Sequence, residues 1–416
     1  MRYAKYKPTG IAWLPEVPEG WGCAKVSQHF RLRSEKVSER DYPALSVAKQ
    51  GIVPQLEDVA ISLAEGDTRK LVRKGDYVVN SRSDRKGSCG IAPRDGSVTT
   101  ISIVLEPRNV VQMFIHYLFR SHHWIEEFYR HGRGIVADLW TTNYQQMKGM
   151  QFPLPPIPTQ RAIVAYLDEK CGKVDRLVAA KEKEAALLKE LKQSMIAEAV
   201  TGATQVARTD TARKMKSSGI PWLPEVPEGW EVKKVRQHFR LRAEKVSEKD
   251  YPPLSVAKIG VVPQLSDVAL SMAEGDTRKL VREGDYVVNS RSDRKGSCGI
   301  APRDGSVTTI SIVLEPRDVE RKFIHYLFRS VPWVEEFYRN GRGIVADLWT
   351  TRYQEMRNMM FPLPPLAEQR AIVAYIEARA AKIDAAVAGL EREVAALKEY
   401  KQRLIADVVT GLRKVA

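Results

Sequence analysis

Cysteine is scarce, with four residues in 416 and no Cys-x-x-Cys pair. That excludes a disulfide framework and an obvious zinc-ligand set. No stretch approaches the ~18 consecutive apolar residues of a membrane span. The opening residues, Met1 to Trp21, lack the apolar core of a secretory signal, so a reducing, cytoplasmic location is expected. Signatures of nucleotide and methyl-donor chemistry are also missing. There is no G-x-x-x-x-G-K-[ST], no G-x-G-x-x-G after a strand-like run, and no Asn/Asp-Pro-Pro-Tyr/Phe to hold a flipped adenine. The proline pairs at 155–156 and 364–365 follow leucine, which has no hydrogen-bonding side chain. Ser83-x-x-Lys86 matches the letters of serine–lysine acyl enzymes, but the basic loop around it accounts for both residues. Taken together, these absences favour a binding protein over an enzyme.

What the chain does have is an excess of positive charge, 66 Lys+Arg against 51 Asp+Glu, for a net +15. Such a balance points to a polyanionic partner. The chain is also one unit written twice. Residue i matches residue i+209 almost throughout, and all eight tryptophans pair: Trp13/Trp222, Trp21/Trp230, Trp124/Trp333 and Trp140/Trp349. Asp67 to Arg108 returns as Asp276 to Arg317 with one change, Lys74 to Glu283. A period this long excludes a solenoid, so each copy is a folding unit.

Within each copy the composition changes at a proline cluster, Phe152-Pro153-Leu154-Pro155-Pro156 in the first. Before it lie short β-type runs such as Tyr77–Val79 and Thr99–Leu105, with Gly-Asp or Asp-Gly turns at 66–67, 75–76 and 95–96 and one predicted helix, Met113–Phe128. After it come roughly 40 residues without proline, enough for a helix of about 60 Å. Ile163, Leu167, Val174, Leu177, Leu188, Leu191 and Met195 predict its apolar seam, interrupted by Lys170, Lys181 and Glu184. The second copy predicts Ile372, Ile376, Ile383, Leu390, Leu397 and Leu404. Neither helix can bury its stripe alone, and the other copy's helix is the simplest partner. The long helices carry only +3 of the +15 and the segment 201–216 another +3, so the globules are the candidates for meeting a polyanion.

The most basic loop, Asn80 to Gly90, recurs unchanged as Asn289 to Gly299. Arg82, Arg85 and Lys86, with Arg291, Arg294 and Lys295, are candidates for phosphate or guanine contacts, and Asp84 and Asp293 for acceptance from cytosine N4. The opposing reading is a solvated turn with local Arg–Asp pairing. Further candidates place donors beside turns or glycines: Lys49 and Gln50, Lys258, Arg69 and Lys70, Arg278 and Lys279, Arg133, Arg342, Asn143 and Arg352. Trp13 and Trp21 read as a packed cap rather than a stacking platform, and His29 and His238 as structural.

The junction Phe361-Pro362-Leu363-Pro364-Pro365-Leu366-Ala367-Glu368-Gln369-Arg370-Ala371-Ile372 resembles the boundary between a target recognition domain and a spacer helix in the specificity subunit of type I restriction–modification enzymes. The first copy repeats it at 152–167, with Pro158-Thr159 where that family shows Ala-Glu. Gly75-Asp76-Tyr77-Val78-Val79-Asn80 and its counterpart at 284–289 are similar to that family's recognition domains. The resemblance spans the chain in the order domain, helix, domain, helix. It implies an α+β fold: recognition domains at 1–157 and 218–366, spacer helices at 158–201 and 367–416, and a linker at 202–217. The helices would form an antiparallel coiled coil with pseudo-two-fold symmetry. One departure is that the family's two recognition domains usually differ, whereas these are nearly the same.

The resemblance further implies a non-catalytic subunit that reads a bipartite site in double-stranded DNA. It would dock two adenine methyltransferase subunits and motor–nuclease restriction subunits. S-adenosylmethionine, ATP and magnesium would belong to those partners and not to this chain. Arg161, Arg370 and the outer helix faces are candidates for the partner interface. Identical loops predict an inverted repeat. The competing expectation is a coiled-coil scaffold whose twin globules bind protein or RNA.

Overall fold

The computed structural model describes residues 2–55, 68–134, 140–206, 213–264, 277–343 and 349–415. The Gly66-Asp67 turn and residues 207–212 of the expected linker lie outside the described residues. Two compact units emerge, and they do not coincide with the two sequence copies. One comprises Met1–Glu182 with Arg392–Ala416, and the other Lys183–Glu391. Each holds one globule, the beginning of one long helix and the end of the other.

In the first unit an antiparallel sheet runs in the order Cys89–Ile91, Tyr77–Asn80, Ser102–Pro107, Phe30–Arg33. Successive side chains of a strand point to opposite faces. Here Tyr77 and Val79 enter one apolar core while Val78 enters a second. Ile103 and Leu105 divide from Val104 in the same way. A sheet covered on both faces needs continuous apolar runs, which is why these strands were legible. A smaller sheet joins Gly96–Val98, Arg69–Val72 and Lys36–Val37. Gln151–Leu154 pairs with Gly22–Lys25, so the globule closes on itself just before the long helix. The second unit repeats this plan, with Tyr286 and Val288 facing one core and Val287 the other.

The single helix expected over Met113–Phe128 is two helices, Gln112–Phe119 and His122–Arg130. Ser121 breaks it: its hydroxyl donates to the Leu118 carbonyl at 2.6 Å, and its backbone is extended. A side-chain hydroxyl that competes for a helix carbonyl favours such a turn. The break lets Trp124 stack on Phe119 with ring centroids 4.2 Å apart. Trp13 meets Trp124 edge-on and Trp21 is buried, so both tryptophans cap the core as expected.

Two long helices span Ile157–Thr201 and Leu366–Val409. Within each unit they pair antiparallel. In the first unit Asp175 meets Lys401 at 2.7 Å, Glu182 meets Lys398 at 2.8 Å, and Lys181 meets Glu393. In the second, Lys189 meets Glu391 at 2.9 Å and Lys192 meets Asp384 at 2.6 Å. Exposed pairs of this kind contribute only ~0–1 kcal/mol each. Cohesion comes from the seam: Ile163, Leu167, Cys171, Val174 and Val178 in the first unit, Ile372, Ile376, Ala380 and Val387 in the second.

The expected seam was wrong at two positions. Leu177 is 51% exposed and Leu191 56%. The stripe runs instead through Cys171, Val174, Val178, the half-buried Lys181, and Ala185. Leucine was favoured by hydrophobicity, but closely packed helices accept small residues at the contact and leave larger ones outside. Where the second helix ends, Gly411 takes φ +80°, and a side chain there would collide with Pro18. The Tyr6 hydroxyl donates to its carbonyl at 2.9 Å, tying the helix end to the first hairpin.

Candidate nucleic-acid interface

Three polar segments that are distant in sequence meet in the first unit: 80–88, 129–134 and 140–143. The Ser83 amide donates to the Trp140 carbonyl at 2.8 Å, and the Thr142 amide to the Ser81 carbonyl at 3.0 Å. Arg133 and Thr141 exchange two backbone hydrogen bonds. Thr142 is fully buried, with its hydroxyl donated to the Phe128 carbonyl at 2.9 Å. Beneath the loop, the Tyr129 phenol donates to the Asn80 carbonyl at 2.9 Å and approaches that of Arg85 at 3.4 Å. Burial drives the Tyr129 phenol well above its ordinary pKa, so it stays protonated and a donor. The second unit reproduces the set: Ser292 to Trp349, Thr351 to Ser290, Arg342 with Thr350, and Tyr338 to Asn289.

On this platform the basic side chains are exposed but engaged. Arg82 Nε lies 3.0 Å from Asp84 and Arg85 Nε 3.7 Å, so one carboxylate sits between two guanidinium groups. Arg291, Asp293 and Arg294 repeat the arrangement. Lys86 pairs with Glu126 at 3.0 Å and Lys295 with Glu335 at 3.0 Å. This is the local pairing of the opposing reading. At such exposure the pairs are weak enough for a phosphate or base edge to replace them. Arg133 is exposed, and Arg342 has Glu355 3.7 Å away.

Other candidates fall elsewhere. Arg69 is only 3% exposed, its guanidinium held by Ser97 and Gln55, and Arg278 is equally buried against Ser306. Lys70 and Lys279 donate to the carbonyls of Ser102 and Ser311, and burial lowers both ammonium pKa values. Arg69 and Arg278 brace the smaller sheet from within, and the half-buried Lys70 and Lys279 tie it to the larger one. Its place beside a turn made Arg69 look like a surface donor, but its strand turns it inside. Asn143 caps the short helix Tyr144–Met147, its side chain accepting from the Gln146 amide at 3.2 Å, and Arg352 occupies the same cap position.

Lys49 and Gln50, like Lys258 and Ile259, form the exposed two-residue tip of a hairpin between Leu45–Ala48 and Gly51–Pro54 or their counterparts. Gly51 and Gly260, at φ +125° and +126°, supply a backbone that other residues rarely adopt. Arg120 donates to the carbonyls of Cys89, at 2.9 Å, and of Lys49, so one guanidinium ties the tip to the end of the basic loop. Arg329 does the same for Cys298 and Lys258. Sequence reasoning missed Ile259 because it is apolar, and missed both arginines because they act on carbonyls far away in the chain. Among the described residues no group of three His, Cys, Asp or Glu side chains is placed to hold a metal ion. No helix there is long and apolar enough to cross a membrane.

No family model matches the chain. It is 24% identical over 286 residues to a chain named as the putative type I restriction enzyme MjaX specificity subunit of Methanocaldococcus jannaschii, covering 66% of this chain and 61% of that one. It is 24% identical over 279 residues to the type I restriction enzyme EcoBI specificity subunit of Escherichia coli, covering 62% and 57%. The match thus spans about three fifths of each relative's length. Among solved structures, one from work on complex assembly and conformational transition of the type I R-M system superposes with a TM-score of 0.68 at 17% identity, over 94% of this chain and 98% of that one. The HsdS subunit from Thermoanaerobacter tengcongensis gives a TM-score of 0.50 at 20% identity, over 95% and 98%. With two mixed α/β globules, antiparallel long helices and these likenesses, the chain resembles type I restriction enzyme specificity subunits in sequence and shares the fold of their solved relatives.

Proposed function

We propose that this chain is the DNA-reading, non-catalytic subunit of a type I restriction–modification complex. The observation that carries the reading is the three-segment polar platform, present once in each unit with the same loop residues. Arg82, Arg85 and Lys86 read or grip one half-site, and Arg291, Arg294 and Lys295 the other. Each guanidinium can give two parallel hydrogen bonds to guanine O6 and N7, while the lysines act on phosphate. The antiparallel sense of helix pairing supports an inverted arrangement of the two half-sites, with centres on the order of one helical turn (~34 Å) apart. Two adenine methyltransferase subunits dock on this chain and bring S-adenosylmethionine, and the restriction subunits bring ATP and magnesium.

Mapping of methylated adenines in the DNA of cells carrying the complex tests this. The expected result is a two-part target with unspecified bases between the parts, and the bases facing the identical loops shared by both. Two unrelated half-sites, or a single continuous site, would reject it. Purified chain incubated with DNA, magnesium and S-adenosylmethionine alone is expected to yield no product.

A further inference from the structure

The two platforms are not quite alike, and the difference is confined to few positions. The loops 80–90 and 289–299 are identical. In the segments packed against them, His131 becomes Asn340, Asn143 becomes Arg352, and at the hairpin tip Gln50 becomes Ile259. His131 and Asn340 both turn toward their own helix, onto Glu127 at 3.0 Å and Glu336 at 3.0 Å. Asn143 and Arg352 sit at a helix cap. Exposed exchanges lie on the helix that bears Glu126 or Glu335, where His122 and His123 become Val331 and Pro332, and at the tip, where an amide becomes an apolar side chain. Ile259 is 81% exposed, and Gln50 has no side-chain partner among the described residues.

A lone exposed isoleucine is ordinary on a protein surface, and what matters here is its mounting. The tip carbonyl is clamped by Arg120 or Arg329, whose other nitrogen holds the strand that ends the basic loop. A side chain added to Gly90 would lie 3.2 Å from the Gly51 Cα, and one at Gly299 3.0 Å from that of Gly260. Tip and loop are therefore in backbone contact. Gly90 follows Lys86 by four residues, Arg85 by five and Arg82 by eight, which limits the backbone path from this contact to roughly 14, 18 and 29 Å respectively.

We infer that position 50/259 is a specificity determinant that makes the two half-sites differ at one base pair, an inference that rests on the DNA-reading proposal above. A glutamine amide matches adenine N6 and N7 with two hydrogen bonds, whereas an isoleucine side chain matches the thymine methyl group. The half read by the first unit then carries adenine at the position facing the tip, and the half read by the second unit carries thymine. Elsewhere the halves agree, because the loops do.

Selection from a pool of random duplexes, with the chain bound to its methyltransferase subunits, tests this in three forms: unaltered, Gln50→Ile and Ile259→Gln. Each exchange installs the residue that the sister hairpin already carries, and an unchanged thermal midpoint verifies folding. The unaltered chain should enrich a near-perfect inverted repeat with one mismatch between halves. Ile259→Gln should make both halves adenine-type and Gln50→Ile both thymine-type, with the preference at that base pair shifting about tenfold or more. A perfect repeat from the unaltered chain would overturn the inference and leave the DNA-reading proposal standing. So would a mismatch that neither exchange moves, which would assign it to another of the positions at which the two copies differ. Failure to enrich any motif would defeat the DNA-reading proposal itself, and this inference with it.

Discussion

Tyr129 donates its phenol proton to the Asn80 carbonyl at 2.9 Å, and Tyr338 donates to Asn289 at 3.0 Å. Each bond links a helix in the apolar core to the first residue of a basic loop. It is the point at which packing of the globule becomes geometry of the loop. Replacing Tyr129 by Phe keeps the ring and leaves that carbonyl without the donor. A cost of about 1–2 kcal/mol is expected, read as a lower urea midpoint. Affinity for one half-site should also fall, because the loop loses its brace. A stability change without any effect on binding would mean that the loop does not need to be held.

The Asp84 carboxylate between Arg82 and Arg85 allows two ways of using those arginines. If they read bases, Arg82→Ala with Arg85→Ala in the first copy alone should abolish discrimination in one half of the target. The loss should be about 1–3 kcal/mol per base pair read. If they grip phosphate, binding should weaken uniformly and the salt dependence should shrink by about one unit of slope for each cation removed. Competition binding against point-altered duplexes at several salt concentrations separates the two. The first outcome is expected for Arg82 and Arg85, and the second for Lys86→Ala.

Much of the architecture could be read before any coordinates, and the reasons are specific. Tyr77–Asn80 stood out because both faces of its sheet are covered, so apolar residues run without alternation. The long helices stood out because proline is absent after Pro158 and the stripe is periodic. The basic loop stood out by charge. What periodicity could not supply was the choice between two nearby stripes on one helix. It placed Leu177 and Leu191 inside, whereas Cys171, Val178 and Ala185 are inside. Nor could charge distinguish a surface arginine from Arg69, whose partners Ser97 and Gln55 are distant in sequence. The Arg120 clamp was invisible for the same reason, since backbone carbonyls carry no side-chain signature.

The corrected seam makes a prediction of its own. Leu177→Ala and Leu191→Ala remove exposed side chains and should change stability by less than about 0.5 kcal/mol. Val178→Ala deletes buried methyl groups at a helix contact and should cost about 1–2 kcal/mol more. Thermal midpoints of the three variants decide the register. A Leu177→Ala penalty as large as that of Val178→Ala would restore the stripe first expected from the sequence.

Acid sensitivity should come from His116 and His325, which point into the fold from the same position of the two copies. Each is pushed down to about 4, chiefly by burial and then by the neighbouring Arg120 or Arg329 cation, while Asp168 pulls the other way on His116 alone. Nδ1 of each ring is buried without a hydrogen-bond partner among the described residues. In the unfolded chain a histidine titrates near 6.5. Between about 4 and 6.5 the unfolded chain therefore binds protons that the folded chain refuses, and stability rises with pH across that window. Acidification from 7 toward 4 should remove on the order of 2–3 kcal/mol per histidine, and below about 4 this contribution should level off. His116→Phe with His325→Phe preserves an aromatic ring against Tyr77 and Tyr286 and removes the titration. Urea midpoints at several pH values should show a flatter slope for the double variant than for the unaltered chain. Identical slopes would mean that both imidazoles can take up a proton in the folded state, against the burial and the neighbouring arginines that hold them down.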